Sequence, residues 1–418
     1  GYKAYGNDGG QYISPHDKNI INEVKAIKSI DEVKVNQNKE NIKILDYHFD
    51  NLYFDEVLKL SINKEIIHNY NNLAFVYTPL HGTGIKLVPE ALKRAGFTNV
   101  QIVEEQAIMD GNFPTVKSPN PEEKSALEMA INKAQKINAD LVFATDPDAD
   151  RVGIAVKDSK NNFVLLNGNQ TASVLTYYIL EQWSKQNKFK GNEYIIKTIV
   201  TTELLTKIAK KYQIEIFDVL TGFKYIAEII RQNEGKKTYV CGGEESYGFL
   251  IGDYVRDKDA VSACLLIAEV AAWARSQNKT IWDILMDIYR EFGLYKEALV
   301  SITKKGMNGQ EEIKNMMKNF RSNPPKTLAN SKIVIIKDYL EQKEINVLNH
   351  STTAILLPKS DVLQFITEDE TIISVRPSGT EPKIKFYIGT KATIKNNFDE
   401  TDQLLTAKIE HIKSDLNI

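Results

Sequence analysis

The chain has 418 residues, 42% of them hydrophobic and 26% charged, with a formal net charge of -2 at pH 7. That length exceeds one ordinary domain and points to two to four, and the near-neutral balance gives no electrostatic case for a nucleic acid or an anionic membrane as partner. The only two cysteines, Cys241 and Cys264, exclude a disulfide framework and point to a reducing, cytoplasmic setting.

In chain order, four regions are expected. Residues 1–46 hold one strand-like piece and one helix over 17–30, too little to bury a core. Gly1 falls inside the strand-like piece, so no signal peptide is visible. Ser14 reads as the helix N-cap, with Pro15 at the first helical position. Residues 47–166 alternate strand and helix. Strands are expected at 73–77, 100–103 and 141–145, with helices from Gly82-Thr-Gly84 to Ala95 and over 122–137. That grammar means a parallel sheet with crossover helices. Residues 167–292 repeat it, with strands at 194–200, 214–217 and 238–240 and helices over 203–212 and after Thr221-Gly-Phe-Lys224. The apolar run 260–273 is too short for a membrane span and is broken by Glu269, so it reads as a buried helix. Residues 293–418 change to α+β, with a break at Asn323-Pro-Pro325. The fold class is α/β: successive α/β/α domains with mixed, mostly parallel sheets, plus a C-terminal α+β domain.

Three loops carry chemistry. Asp146-Pro-Asp-Ala-Asp-Arg151 lies between apolar runs that read as strands. Three alternate carboxylates can converge on one hard cation, and Mg²⁺ suits a few carboxylates completed by water and phosphate. Arg151 adds a forked donor for a phosphate oxygen. The alternative is a solvated acidic turn. Cys241-Gly-Gly-Glu-Glu-Ser-Tyr-Gly248 offers adjacent carboxylates and a hydroxyl on a glycine-flanked loop, suited to sugar hydroxyls; a helix N-terminus rich in acid is the alternative. Val375-Arg-Pro-Ser-Gly-Thr-Glu-Pro-Lys-Ile-Lys385 joins two β-like runs. Its glycine lets the backbone approach an anion, and its hydroxyls, Arg376 and Lys383 can hold phosphate oxygens. A tight Pro/Gly turn is the bland alternative.

In this order the three loops resemble the metal-, sugar- and phosphate-binding loops of the α-D-phosphohexomutase family, with Pro147 where glycine is more usual. Gly1-Tyr-Lys-Ala-Tyr-Gly-Asn-Asp-Gly-Gly10, Thr78-Pro-Leu-His-Gly82, Thr221-Gly-Phe-Lys224 and Arg256-Asp-Lys-Asp259 extend the resemblance along the whole chain. The wording around Ser14 and Glu244 is closest to the bacterial phosphoglucomutase branch, which also includes phosphopentomutases.

The resemblance implies an intramolecular phosphoryl shift between glucose 1-phosphate and glucose 6-phosphate, through a phosphoserine and glucose 1,6-bisphosphate. It implies Mg²⁺ on Asp146, Asp148 and Asp150, and catalytic roles for Arg151 and Lys258. Thr221, Gly222, Glu244 and Ser246 would hold the sugar, and Arg376, Ser378, Gly379, Thr380 and Lys383 the phosphate. For Lys258 the alternative is a simple ion pair with Asp257 or Asp259. His81 lies either near the site or in a structural role. Regions 1–46, 47–166, 167–292 and 293–418 would correspond to a remnant of domain I and to domains II, III and IV.

One departure matters. The family's nucleophilic serine lies in a Thr-Ala-Ser-His-Asn-Pro segment just before the Gly-Tyr-Lys stretch. The chain starts at Gly1-Tyr-Lys, so it is expected to be an N-terminally truncated, inactive fragment, with Ser14 only a superficial match. Phosphopentomutase and phosphomannomutase activities stay open, as do, more remotely, an aspartyl phosphatase with Asp146 as nucleophile and a non-catalytic sugar-phosphate binder. The sequence does not give the oligomeric state.

Overall fold

A computed structural model describes residues 3–34, 40, 42–304, 308–378, 381–395 and 397–418. The chain divides into two compact units. Unit 1 comprises Gly1–Thr198 and Ala209–Leu285; unit 2 comprises Ile199–Ile208 and Met286–Ile418.

Unit 1 contains two sheets. The first has strands β1 (Phe75–Thr78), β2 (Val100–Ile102), β3 (Leu141–Thr145), β4 (Val152–Lys157) and β5 (Phe163–Leu166), in the order β2-β1-β3-β4-β5. Strand β1 runs parallel to β2 and β3, whereas β4 and β5 pair antiparallel. All five residues of β3 are buried, as expected for a central strand covered on both faces. The second sheet has β6 (Glu193–Thr198), β7 (Glu215–Val219), β8 (Thr238–Gly243) and β9 (Phe249–Ile251), in the order β7-β6-β8-β9. Its first three strands are parallel, and β9 returns antiparallel to β8.

The expectation of parallel sheets therefore holds for the strands joined by helices. The mixed character expected of the sheets comes at β3–β4 and β8–β9, where a few linking residues are too few for a parallel crossover and force a hairpin. Both candidate loops of unit 1 are these hairpin links.

The apolar run forms the helix Ala260–Ser276, buried along most of its length. Glu269 breaks the run and is itself fully buried. Its carboxylate accepts from Tyr178 Oη at 2.6 Å, Ser61 Oγ at 2.8 Å, Ile62 N at 2.9 Å and Asn63 N at 2.7 Å. Four donors offset the cost of burying that charge. Two helices that the strand-and-helix reading did not resolve, Tyr47–Lys59 and Lys64–Asn69, start at Asp46 and Asn63, whose side chains accept from the first turn.

The N-terminal stretch needs correction. Among its described residues there is no strand, only a tight turn closed by an isolated bridge between Tyr5 and Gln11. Its helix spans His16–Ala26 and buries no residue, and a separate 3₁₀ turn follows at Ile30–Glu32. Ser14 does not cap the helix. Pro15 occupies the cap position without a side-chain acceptor, after a cis Ser14–Pro15 peptide. The expected helices at 82–95 and 122–137 also begin later, at Val88 and Glu128, because turns occupy the residues before them.

Unit 2 is built on one antiparallel sheet. Its strands are β10 (Leu294–Thr303), β11 (Thr327–Leu328), β12 (Ser331–Asp338), β13 (Lys343–Asn346), β14 (Thr352–Ala354), β15 (Leu363–Thr367), β16 (Ile372–Pro377) and β17 (Lys383–Ala392). The order is β10-β17-β16-β15-β12-β13-β14, with β11 paired to β12. Helices Gly309–Ser322 and Phe398–Leu416 supply Ile313, Met317, Ile409 and Ile412 to a core with Phe365, Val375 and Phe386. The third candidate loop is again a hairpin link, between β16 and β17. Across the described residues, no helix is long and apolar enough to cross a membrane.

Candidate active site

The β3–β4 link brings the three predicted carboxylates together. One oxygen from each of Asp146, Asp148 and Asp150 lies within 4.8 Å of the others, with Asp146 buried, Asp150 partly buried and Asp148 exposed. Ala149, between the last two, has φ of 55°, so the turn passes through the left-handed region that non-glycine residues seldom adopt. The strain is held from several sides. Asp146 accepts from Asp150 N at 3.0 Å, Arg151 N at 2.9 Å and Arg151 Nε at 2.7 Å. Thr83 N donates to Pro147 O at 2.8 Å, Ala260 N to Ala149 O at 3.1 Å, and Val152 N to Tyr247 O at 3.0 Å.

Burial pushes the Asp146 carboxyl up to about 6, against the opposing pull of the loop N–H groups and Arg151. Arg151 also reaches Glu122 at 3.0 Å and Asn120 at 3.3 Å. An all-oxygen carboxylate set at this spacing fits a hard divalent cation such as Mg²⁺.

Lys258 lies on the link between β9 and the helix Ala260–Ser276. Its Nζ is 2.9 Å from Asp150 and 3.3 Å from Asp257. Burial works against its charge, but Asp257, Asp150 and Glu244 outweigh it and raise its pKa. The predicted pairing with Asp257 thus exists, and the contact with a metal-loop carboxylate accompanies it. The other predicted partner, Asp259, faces elsewhere: it accepts from Val261 N at 2.7 Å and Tyr53 Oη at 2.6 Å, and from Tyr254 Oη, capping the helix. A cavity of about 520 Å³ is lined by Asp148, Asp257, Lys258, Tyr53, Thr83 and Lys86.

The Glu244 and Thr221 loops meet through one bond. Gly222 N donates to Glu244 Oε1 at 2.8 Å. Burial raises the Glu244 carboxyl, partly offset by that bond and by Lys258. Ser246 and Thr221 are partly buried on the same two loops. His81 is buried, with Nδ1 2.9 Å from Ile108 O and Nε2 2.8 Å from Thr115 Oγ1. Both ring nitrogens are therefore engaged, which is the structural role. The N-terminal stretch reaches the site too: Lys3 Nζ is 3.4 Å from Asp150, and Tyr5 Oη donates to Asp257 at 2.6 Å.

In unit 2, Arg376 is the penultimate residue of β16 and Lys383 begins β17. Ser378 N donates to Lys383 O at 2.7 Å, and Lys383 Nζ lies 3.1 Å from Glu381. Gly379 and Thr380 lie outside the described residues. A cavity of about 410 Å³ opens here, lined by Arg376, Ser378, Glu381, Gln310, Lys314 and Asp361. Gln310 and Lys314 come from the helix Gly309–Ser322. A Cβ on Gly309 would run into the Lys304 carbonyl and stand 3.2 Å from Pro382 Cβ, so glycine lets this helix start against the backbone that follows β10. Sequence reasoning missed these two residues, as it missed Tyr53, Tyr254 and Glu122, which no local motif marks; Lys3 and Tyr5 lie in the quoted Gly1–Gly10 stretch but were given no role in the site.

Comparison with known proteins agrees with this geometry. The phosphoglucomutase/phosphomannomutase alpha/beta/alpha domain II pattern matches residues 51–160, and the domain III pattern matches residues 167–292. A phosphoglucomutase of Staphylococcus aureus (strain MSSA476) is 36% identical over 409 residues, 98% of this chain and 72% of that protein. That of Staphylococcus haemolyticus (strain JCSC1435) is 34% identical over 403 residues, 96% of this chain and 72% of that protein. Among solved structures, a putative phosphomannomutase from Thermus thermophilus shares the fold with a TM-score of 0.61 at 18% identity, covering 90% of this chain and 67% of that one.

Proposed function

The chain belongs to the phosphoglucomutase/phosphomannomutase family of sugar-phosphate isomerases, and on that premise we propose that its loops serve the interconversion of glucose 1-phosphate and glucose 6-phosphate through glucose 1,6-bisphosphate. The observation that carries this is the Asp146, Asp148 and Asp150 cluster with Lys258 2.9 Å from Asp150. Phosphoryl transfer needs placement and charge neutralisation more than covalent help. Asp146, Asp148 and Asp150 would hold Mg²⁺, which when bound neutralises charge on a phosphoryl group. Arg151 is assigned to the transferring group and Lys258 to proton transfer. Its raised pKa means that Lys258 begins charged, as an acid. Glu244, Ser246, Thr221 and Gly222 are assigned to sugar hydroxyls, and Arg376, Ser378, Gly379, Thr380 and Lys383 to the phosphate that is not transferred. We retain the four-part division at residues 46, 166 and 292 as part of this reading.

Asp146 is a poor nucleophile here, which weighs against an aspartyl phosphatase. It is 2% exposed, and both its oxygens already accept hydrogen bonds. The nucleophile is assigned to a serine in a Thr-Ala-Ser-His-Asn-Pro segment, which does not occur in these 418 residues. The 418-residue chain is accordingly expected to bind glucose 1,6-bisphosphate without turning over glucose 1-phosphate. Calorimetry with the bisphosphate, and a coupled assay for glucose 6-phosphate with Mg²⁺ supplied, test both halves. No binding defeats the reading. Turnover near the roughly 10 s⁻¹ of ordinary enzymes places the nucleophile inside the chain, with Ser14 the first to mutate.

A further inference from the structure

Lys258 reaches Asp150 along a defined path, and Gly248 makes that path available. An added Cβ on Gly248 would fall 2.9 Å from Lys258 Cγ and 3.2 Å from Cε, and closer still to Cδ. The aliphatic stem therefore runs through the space that any other side chain at 248 would fill. Gly248 is not among the residues of positive φ, so its backbone does not demand glycine. The stem demands it.

The end of the side chain meets the ring of Phe223, with Lys258 Nζ 5.4 Å from its centroid, in range of a cation–π attraction. The root of the side chain is fixed as well. Lys258 N donates to Asp257 Oδ1 at 2.9 Å, and Asp259 N donates to Phe249 O at 2.9 Å. Both neighbours belong to the loops described above: Gly248 O accepts from Glu244 N at 2.9 Å, and Phe223 follows Gly222.

We propose that Gly248 is a positioning residue, whose missing side chain forms, with Phe223, a slot that aims the Lys258 ammonium at Asp150. The proposal deepens the reading of Lys258 as the acid–base group and rests on it. A lysine carries many rotamers, and a slot that leaves one of them lowers the cost of presenting the ammonium at one point. The slot also ties the loop assigned to the sugar to the group assigned to proton transfer.

The test uses the 418-residue chain with its lysines labelled with ¹³C at Cε. The Lys258 resonance is the one lost in Lys258→Arg. In the unsubstituted chain it should stand apart from the exposed lysines, because one side chain held beside a ring has one environment. Gly248→Ala is expected to move it into the exposed-lysine group while the melting temperature falls only slightly. A resonance that stays in place overturns the proposal.

If Gly248→Ala does not fold, the same change is made in Lys258→Ala. With the stem gone, alanine at 248 should fold and melt with its Lys258→Ala parent. A double variant that still fails puts the clash elsewhere and overturns the slot. Neither readout depends on turnover. The slot can therefore hold while the acid–base role of Lys258 fails, and kcat of Lys258→Ala in a catalytically active enzyme decides the latter.

Discussion

Two hairpin links carry the two phosphate-related loops, and they are built differently. The β3–β4 link in unit 1 is a closed charge system. Asp146 is buried, three N–H groups of its own loop serve it, and Arg151 and Lys258 stand within ion-pair range of the carboxylates. The β16–β17 link in unit 2 is an open rim. Arg376 and Lys383 are partly exposed at a cavity edge, and Lys383 pairs with the neighbouring Glu381. A loop whose charges pair with one another around a buried carboxylate keeps its shape before a ligand arrives, and removing that carboxylate strands its partners. A rim loop is cheap to alter and contributes when an anion arrives. Stability and binding should therefore separate between the two links.

The largest expected effect is on stability. Asp146→Ala leaves Asp150 N, Arg151 N and the Arg151 guanidinium short of an acceptor, although Arg151 keeps Glu122. We expect a loss of about 3 kcal/mol in urea unfolding of unit 1. Arg376→Ala in unit 2 should change stability by about 0.5 kcal/mol or less, as an ordinary surface change does. Equal losses at the two positions would break the comparison.

Binding should run the other way. A charged hydrogen bond to phosphate contributes about 1.5–3 kcal/mol, so Arg376→Ala should weaken glucose 1,6-bisphosphate by about 10- to 100-fold. Calorimetry on the folded variant measures this directly. An unchanged affinity would remove Arg376 from the phosphate assignment.

A smaller effect concerns the cation. Mg²⁺ prefers one or two carboxylates together with phosphate oxygens and water, and two of these carboxylates already face Arg151 or Lys258. Without phosphate, Mg²⁺ should bind in the millimolar range, and Asp148→Asn, at the exposed carboxylate, should weaken it further with no loss of stability. Micromolar binding by calorimetry would show that the ion pairs do not compete.

The contrast also explains what was legible in the sequence. Strand β3, its three carboxylates and the loop after β16 were plain, because apolar runs and short charged links are local patterns. The sheets were expected to be mixed and mostly parallel, and their antiparallel pairs fall where the linking turns are short. Tyr53 and Glu122 were invisible because they arrive from 206 and 29 residues away, and Tyr254, only five residues before Asp259, belongs to no motif. Ser14 misled because Ser-Pro before a helix is a common cap signal, yet Pro15 took the cap position itself. Glu269 looked like an interruption, and only its four donors show that it belongs in the core.

The smallest predicted effect lies in unit 2, away from both links. Glu297, on β10, has its carboxyl pushed up to about 7 by burial, with a hydrogen bond from Thr202 working the other way. An unfolded glutamate releases its proton near 4.5, so between these two values the folded chain holds more protons than the unfolded one. Linkage then makes stability fall as pH rises through that window. The contribution is fully present below about pH 4.5 and lost as pH passes about 7. Glu297 is half-buried, and solvent trims its electrostatics, so we expect a change of about 1 kcal/mol rather than the full linkage value. Glu297→Gln, which cannot ionise, should remove this fall, leaving unfolding midpoints in urea flatter between about pH 5 and pH 7.5. The Asp146 link titrates too and should contribute in both proteins, so the difference between the two curves isolates Glu297. If the curves are parallel, Glu297 is already ionised in the folded state at neutral pH, and unit 2 holds its charges at the surface there as it does on the rim of the β16–β17 link.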